Sequence, residues 1–136
     1  MTAKEYLRQV KRINLIVISI SEQIARLESL AVSTGHPLEP SGPAYRDPSK
    51  SSRTESIALQ LVEQRDRKVT ERARLLRIKE NVESSIHALN NLTYEYILEE
   101  RYLNNKTFDQ IADQMSLSKD YVLRLHREAL HLIKVV

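Results

Sequence analysis

Four histidines stand at positions 36, 87, 126 and 131 of this 136-residue chain, and no cysteine accompanies them. A metal ion would need such donors on one face of an element. His126 and His131 share a helix-forming stretch, but an i, i+5 spacing turns them to different faces. Without cysteine, disulfides, zinc-finger ligation and thiol nucleophiles are excluded. Carboxylates are abundant, yet no Gly-rich phosphate loop or nucleophile motif lies beside them. No catalytic, metal or cofactor site is expected, and the chain is not read as an enzyme.

Recognition chemistry is a different matter, and it concentrates near the C-terminal end. From Lys119 onward, Val122, Leu125, Ala129, Leu130 and Ile133 fall on one helical face. Lys119, Asp120, Tyr121, Leu123, Arg124, Arg127 and Glu128 are left mostly outward. Just upstream, Phe108, Ile111, Ala112 and Met115 stand at i, i+3, i+4 and i+7, one buried face on a helix barely two turns long. Thr107 suits its N-cap, and Ser118 the N-cap of the next helix, with Asp120 in the first turn. Ser116, Leu117 and Ser118 form the tight turn between them, Leu117 plugging the angle. Ala112 is small where two such helices cross closely. This is the pattern of a helix-turn-helix, whose second helix enters the major groove of DNA by its N-terminal half. The expected DNA-binding residues are therefore Thr107, Ser118, Lys119, Asp120, Tyr121, Leu123, Arg124 and Arg127. Lys119, Asp120, Leu123 and Arg124 would face base edges, and Arg127 either a base or a phosphate.

Three sets of elements must hold that motif. A helix capped by Thr93 carries Tyr96, Ile97, Leu98, Tyr102 and Leu103, and Asn104 and Asn105 end it. Far upstream, Tyr6, Val10, Ile13, Val17, Ile20, Ile24, Leu27 and Ala31 repeat at alternating steps of four and three, a coiled-coil seam. Leu15, Ile16, Ile18 and Leu30 widen its apolar surface, so this helix is expected to meet more than one neighbour. A second long helix is predicted from Thr54, as N-cap, to about Asn90 or Asn91. Ile57, Leu61, Leu75, Ile78, Val82 and Leu89 fit its seam, with polar Gln64, Lys68 and Glu71 between, and it would pair antiparallel with the first. Residues 33–54 hold both glycines and all four prolines; they read as a flexible loop. The expected fold is all-α: a helical hairpin over 1–92 serving oligomerisation, then a helix-turn-helix unit over 93–136.

Charge complicates the picture. Segment 93–136 carries a net charge of −1, although phosphate neutralisation by Lys and Arg supplies most non-specific DNA affinity. The cations cluster instead at Arg65, Arg67, Lys68, Arg72, Arg74, Arg77 and Lys79, which read as a solvated face or an auxiliary contact to DNA backbone. A weak single head would need pairing with a second copy, so a homodimer or higher homo-oligomer is expected. The apolar stretch from Ile13 to Ile20 is interrupted by Asn14 and reads as a buried helix face, with no membrane partner.

Arg101-Tyr102, Phe108, Ile111-Ala112, Met115, Leu117-Ser118, Val122, Leu125 and Ala129-Leu130 together resemble the fourth region of the sigma-70 family, over residues 92–134. The match departs at Ser116, where that pattern usually has Gly in the turn. With the N-terminal hairpin, the whole chain is similar to sigma-like late-gene regulators of Gram-positive phages and prophages, the ArpU and RinA type. This resemblance implies an activator of phage gene transcription in the bacterial cytoplasm, at the nucleoid, with double-stranded DNA and RNA polymerase as partners. Two other classes compete. A small terminase-like packaging protein also joins a helix-turn-helix to an oligomerising hairpin, usually in the reverse order. A module that binds polymerase or another protein without touching DNA is the other.

Overall fold

In the computed structural model, which describes residues 1–33 and 48–136, the fold is all-α. Its elements in order are α1 (Ala3–Ser33), α2 (Pro48–His87), α3 (Leu92–Leu98), a π-helical turn (Glu99–Leu103), α4 (Phe108–Met115) and α5 (Lys119–Leu132). No helix among the described residues is long and apolar enough to cross a membrane.

Local chemistry explains the boundaries. At the start of α1 the Thr2 hydroxyl accepts from the Glu5 amide at 3.2 Å, and the Glu5 carboxylate accepts from the Thr2 amide at 2.9 Å. That reciprocal box satisfies two otherwise orphaned donors. The amide of Thr2 also holds the Glu5 carboxyl below its ordinary pKa. The second helix begins at Pro48, earlier than the predicted Thr54 cap. Proline opens a helix well, since its fixed φ is helical and its missing N–H would be unbonded there anyway. Of the loop expected over 33–54, Ser33 and residues 48–54 are thus helical, and residues 34–47 lie outside the described residues. α3 starts at Leu92 with Asn91 as its cap, accepting from the amides of Thr93 and Tyr94; Thr93 is already inside the helix.

The chain divides into two compact units, Met1–Leu15 with Leu76–Val136, and Ile16–Leu75. The boundary expected at 92/93 falls inside the first of these. Its main core joins Tyr6, Leu7 and Val10 of α1 to Val82 and Ile86 of α2, Leu98, Tyr102, and Ala129 and Ile133. The Tyr6 hydroxyl and the Ser85 hydroxyl share a buried hydrogen bond at 3.2 Å, setting the start of α1 beside the end of α2. An adjoining cluster of Ile97, Ile111, Ala112, Val122 and Leu125, flanked by Tyr94, Phe108 and Met115, packs α3, α4 and α5 together. In the second unit Ile20, Ile24, Ala31 and Leu75 are buried, and Arg72 donates to the Ser21 hydroxyl at 3.2 Å. Every position of the α1 seam is buried or half-buried. Ile57, expected on the α2 seam, stays exposed.

Candidate nucleic-acid interface

Two caps and a left-handed residue set the geometry of the α4–α5 pair. The Thr107 hydroxyl accepts from the Gln110 amide at 3.2 Å while the Gln110 side-chain oxygen accepts from the Thr107 amide at 2.9 Å. α4 ends at Ser116, whose φ of 57° and ψ of 39° lie in the left-handed region. The Leu117 amide reaches the Ala112 carbonyl at 3.0 Å and the Ser116 amide the Asp113 carbonyl at 3.2 Å. Those bonds close a Schellman-type cap and turn the chain sharply. Ser118 then caps α5 by accepting from the Tyr121 amide at 3.2 Å.

The inner face of α5 is fixed by burial and by side-chain hydrogen bonds. Val122, Leu125, His126 and Ala129 are buried. The Tyr94 hydroxyl donates to Glu128 at 2.9 Å, tying α3 to α5, and the Tyr96 hydroxyl donates to Gln114 at 2.9 Å, tying α3 to α4. His126, which the sequence did not mark as core, sits 2.8 Å from the Tyr102 hydroxyl through Nε2. Its ring stacks on Tyr102 with centroids 5.7 Å apart and meets the edge of Phe108 at 4.9 Å. Burial is the main cause that pushes its pKa down to about 4, assisted by Lys4, Arg101, Arg127 and Arg8. Burial likewise raises the Tyr102 phenol. The imidazole is therefore neutral, and its Nε2 shares one hydrogen with the Tyr102 hydroxyl.

The expected DNA-binding residues are distributed over the opposite face. Lys119, Asp120, Tyr121, Arg124 and Arg127 are exposed, Leu123 is half-buried, and Thr107 and Ser118 are exposed at their caps. Lys119 Nζ lies 3.4 Å from Asp109 of α4. Arg124 is placed between the Tyr121 ring, 5.3 Å from its centroid, and Glu128, 3.6 Å away. Exposed pairs of this kind contribute about 1 kcal/mol or less and exchange readily for another anion. Arg127 has no ion pair among the described residues. Thr107 and Ser118 act first as backbone caps, which leaves the row on α5 as the chemically distinctive surface.

Arg101 was legible only as part of a resemblance. Its guanidinium donates to the Lys106 carbonyl at 3.0 Å and lies 4.6 Å from the centroid of the Phe108 ring. A family model described as "Protein of unknown function (DUF1492)" matches residues 48–134. The chain belongs to this family. The DUF1492 match runs from the start of α2 past the end of α5, so it takes in the whole α3–α5 assembly and leaves α1 outside. No curated protein and no solved structure matches the chain.

Proposed function

We propose that this protein is a sequence-specific DNA-binding transcription regulator of phage or prophage genes, with α4 and α5 as a helix-turn-helix and α5 as its reading helix. One observation carries the reading: α5 is split between a buried face at Val122, Leu125 and Ala129 and an exposed row at Lys119, Asp120, Tyr121, Arg124 and Arg127. A short helix capped at both ends and locked to a second by a tight turn presents that row rigidly, as base readout requires. The resemblance to sigma-70 region 4 supports the assignment. Ser116 adopts a left-handed backbone, which Gly takes without steric cost, so the turn accommodates the one position where the residues depart from that pattern. The similarity to ArpU- and RinA-type regulators supplies the phage setting and the activating role. Leu15, Ile16, Ile18 and Leu30 stay exposed along α1, which favours action as a homo-oligomer.

Selection of bound sequences from a random DNA pool tests the function, read together with the solution mass of the full chain. An enriched motif with half-sites one helical turn or a multiple apart is the expected result. No enrichment would overturn the reading, and a large closed ring would point to packaging instead. With the motif in hand, Arg124→Ala/Arg127→Ala should weaken binding roughly 10- to 100-fold and leave the solution mass unchanged. Unchanged DNA binding in that variant would remove α5 from the role assigned to it.

A further inference from the structure

The α3–α5 segment lacks the positive charge that DNA binding ordinarily demands. Residues 93–136 carry six cations against seven carboxylates. Met1–Leu15, however, belongs to the same compact unit, and it brings Lys4, Arg8, Lys11 and Arg12 against the single carboxylate of Glu5. These side chains are exposed. The positive charge that the reading segment lacks is thus supplied by the first turns of α1.

Part of this charge surrounds a cleft of about 290 Å³ lined by Arg8, Lys11, Arg101, Tyr102 and Asn105. At about 30 Å³ per water, the space would hold roughly ten waters, room for a phosphate group and its remaining hydration. Arg8 and Lys11 are three residues apart on α1 and share a helix face. Neither they nor Arg101 make an ion pair among the described residues, and no carboxylate lines the cleft. Arg101 is held in place by its bond to the Lys106 carbonyl and its contact with Phe108, which uses one of five N–H groups and leaves the rest of the fork available. The Tyr102 hydroxyl is committed to His126. Location narrows the ligand. Lys106 immediately precedes the Thr107 cap of α4, and in a helix-turn-helix the first helix is the one that crosses the DNA backbone.

We infer that this cleft is a phosphodiester-binding site in which Arg8 and Lys11 of α1 and Arg101 hold a backbone phosphate of duplex DNA while α5 faces the bases. The inference rests on the DNA-reading function proposed above and adds α1 to the DNA-contacting surface. Such contacts fix register and supply salt-dependent affinity, and they carry no sequence information.

The test uses the full chain and a fluorescein-labelled random-sequence duplex, with affinity measured by anisotropy across a salt series. Wild type, Arg8→Gln/Lys11→Gln and Arg124→Ala/Arg127→Ala are compared. Because Arg8 and Lys11 are exposed, the first variant should keep the wild-type melting curve by circular dichroism. It should bind roughly tenfold more weakly and lose about one to two units from the slope of log K against log salt. Duplex binding by wild type with an unchanged slope in Arg8→Gln/Lys11→Gln overturns the phosphate site and leaves the proposed function standing. No duplex binding by wild type overturns both. A slope lowered equally for polyglutamate or anionic vesicles in place of DNA, with none for duplex, also overturns the site as a DNA contact. Loss of affinity in Arg8→Gln/Lys11→Gln beside unchanged binding in Arg124→Ala/Arg127→Ala supports the cleft as a backbone contact separate from base readout by α5.

Discussion

Ser116 and His126 are single residues whose behaviour the structure makes predictable. A non-glycine residue at φ 57° pays a steric cost that Gly escapes. Ser116→Gly should therefore stabilise the fold by about 1 kcal/mol, read as a higher midpoint in urea unfolding with an unchanged slope. The turn itself was legible from Ser116-Leu117-Ser118, but its handedness was not, because serine has no preference for positive φ that would announce it. His126 escaped notice for a related reason. Its partner Tyr102 is distant in sequence, and an imidazole only becomes a core group when an aromatic hydroxyl satisfies its nitrogen. With a folded pKa of about 4 against 6.5 when free, His126 binds its proton more readily in the unfolded chain. Stability is then full above about pH 6.5 and falls as pH drops toward 4, by up to about 3 kcal/mol. His126→Gln, which cannot take up that proton, should flatten the stability profile in this window when melts are compared between pH 7 and 5. Glu5 and Glu71, whose pKa values lie below 4.5, lose their contributions only at lower pH.

At the level of elements, what the sequence revealed depended on how strongly a pattern was repeated. Seven-residue periodicity over α1 left little choice of face, and every seam residue is at least half-buried. In α2, whose seam is broken by polar residues in the middle, the same rule was a poorer guide at the apolar ends: Ile86 is completely buried although the seam runs from Val82 to Leu89, and Ile57 is exposed. The π-helical turn at Glu99–Leu103 left no trace in the sequence, since a widened turn keeps its apolar residues pointing inward. Caps fared better when they came as pairs. Thr107 with Gln110 forms the box its spacing allows, whereas at α3 Asn91 takes the place assigned to Thr93. Thr107→Ala should cost about 1 kcal/mol by chemical denaturation, since it leaves the Gln110 amide unbonded at the start of a helix only eight residues long.

Across the whole molecule, the compact units do not follow the linear order of the motifs. A boundary between Leu92 and Thr93 follows the motif, but the core of the first compact unit ignores it. Leu98, Tyr102, Ala129 and Ile133 are covered by Tyr6, Leu7, Val10, Val82 and Ile86. Periodicity identifies a buried face without naming what covers it, so the α1 seam pointed to α2 and to self-association and not to Leu98, Tyr102, Ala129 and Ile133. A fragment spanning 93–136 should accordingly lack a cooperative melt by far-UV circular dichroism, while the full chain shows one. Restoring the melt by adding a peptide spanning residues 1–15 together with residues 76–92 would locate the missing surface. A cooperative transition in the isolated fragment would contradict the shared core.

Synthesis imposes an order on this core. Tyr6, Leu7 and Val10 are made long before Ala129 and Ile133, with which they pack. At about 5 to 20 residues per second, translation keeps those side chains without their final partners for roughly 6 to 25 seconds. During that interval the nascent helix presents an uncovered apolar stripe that a chaperone, or a neighbouring ribosome's product, can occupy. A ribosome that stalls inside α5 leaves a chain that carries the long helices without the residues that seal their core.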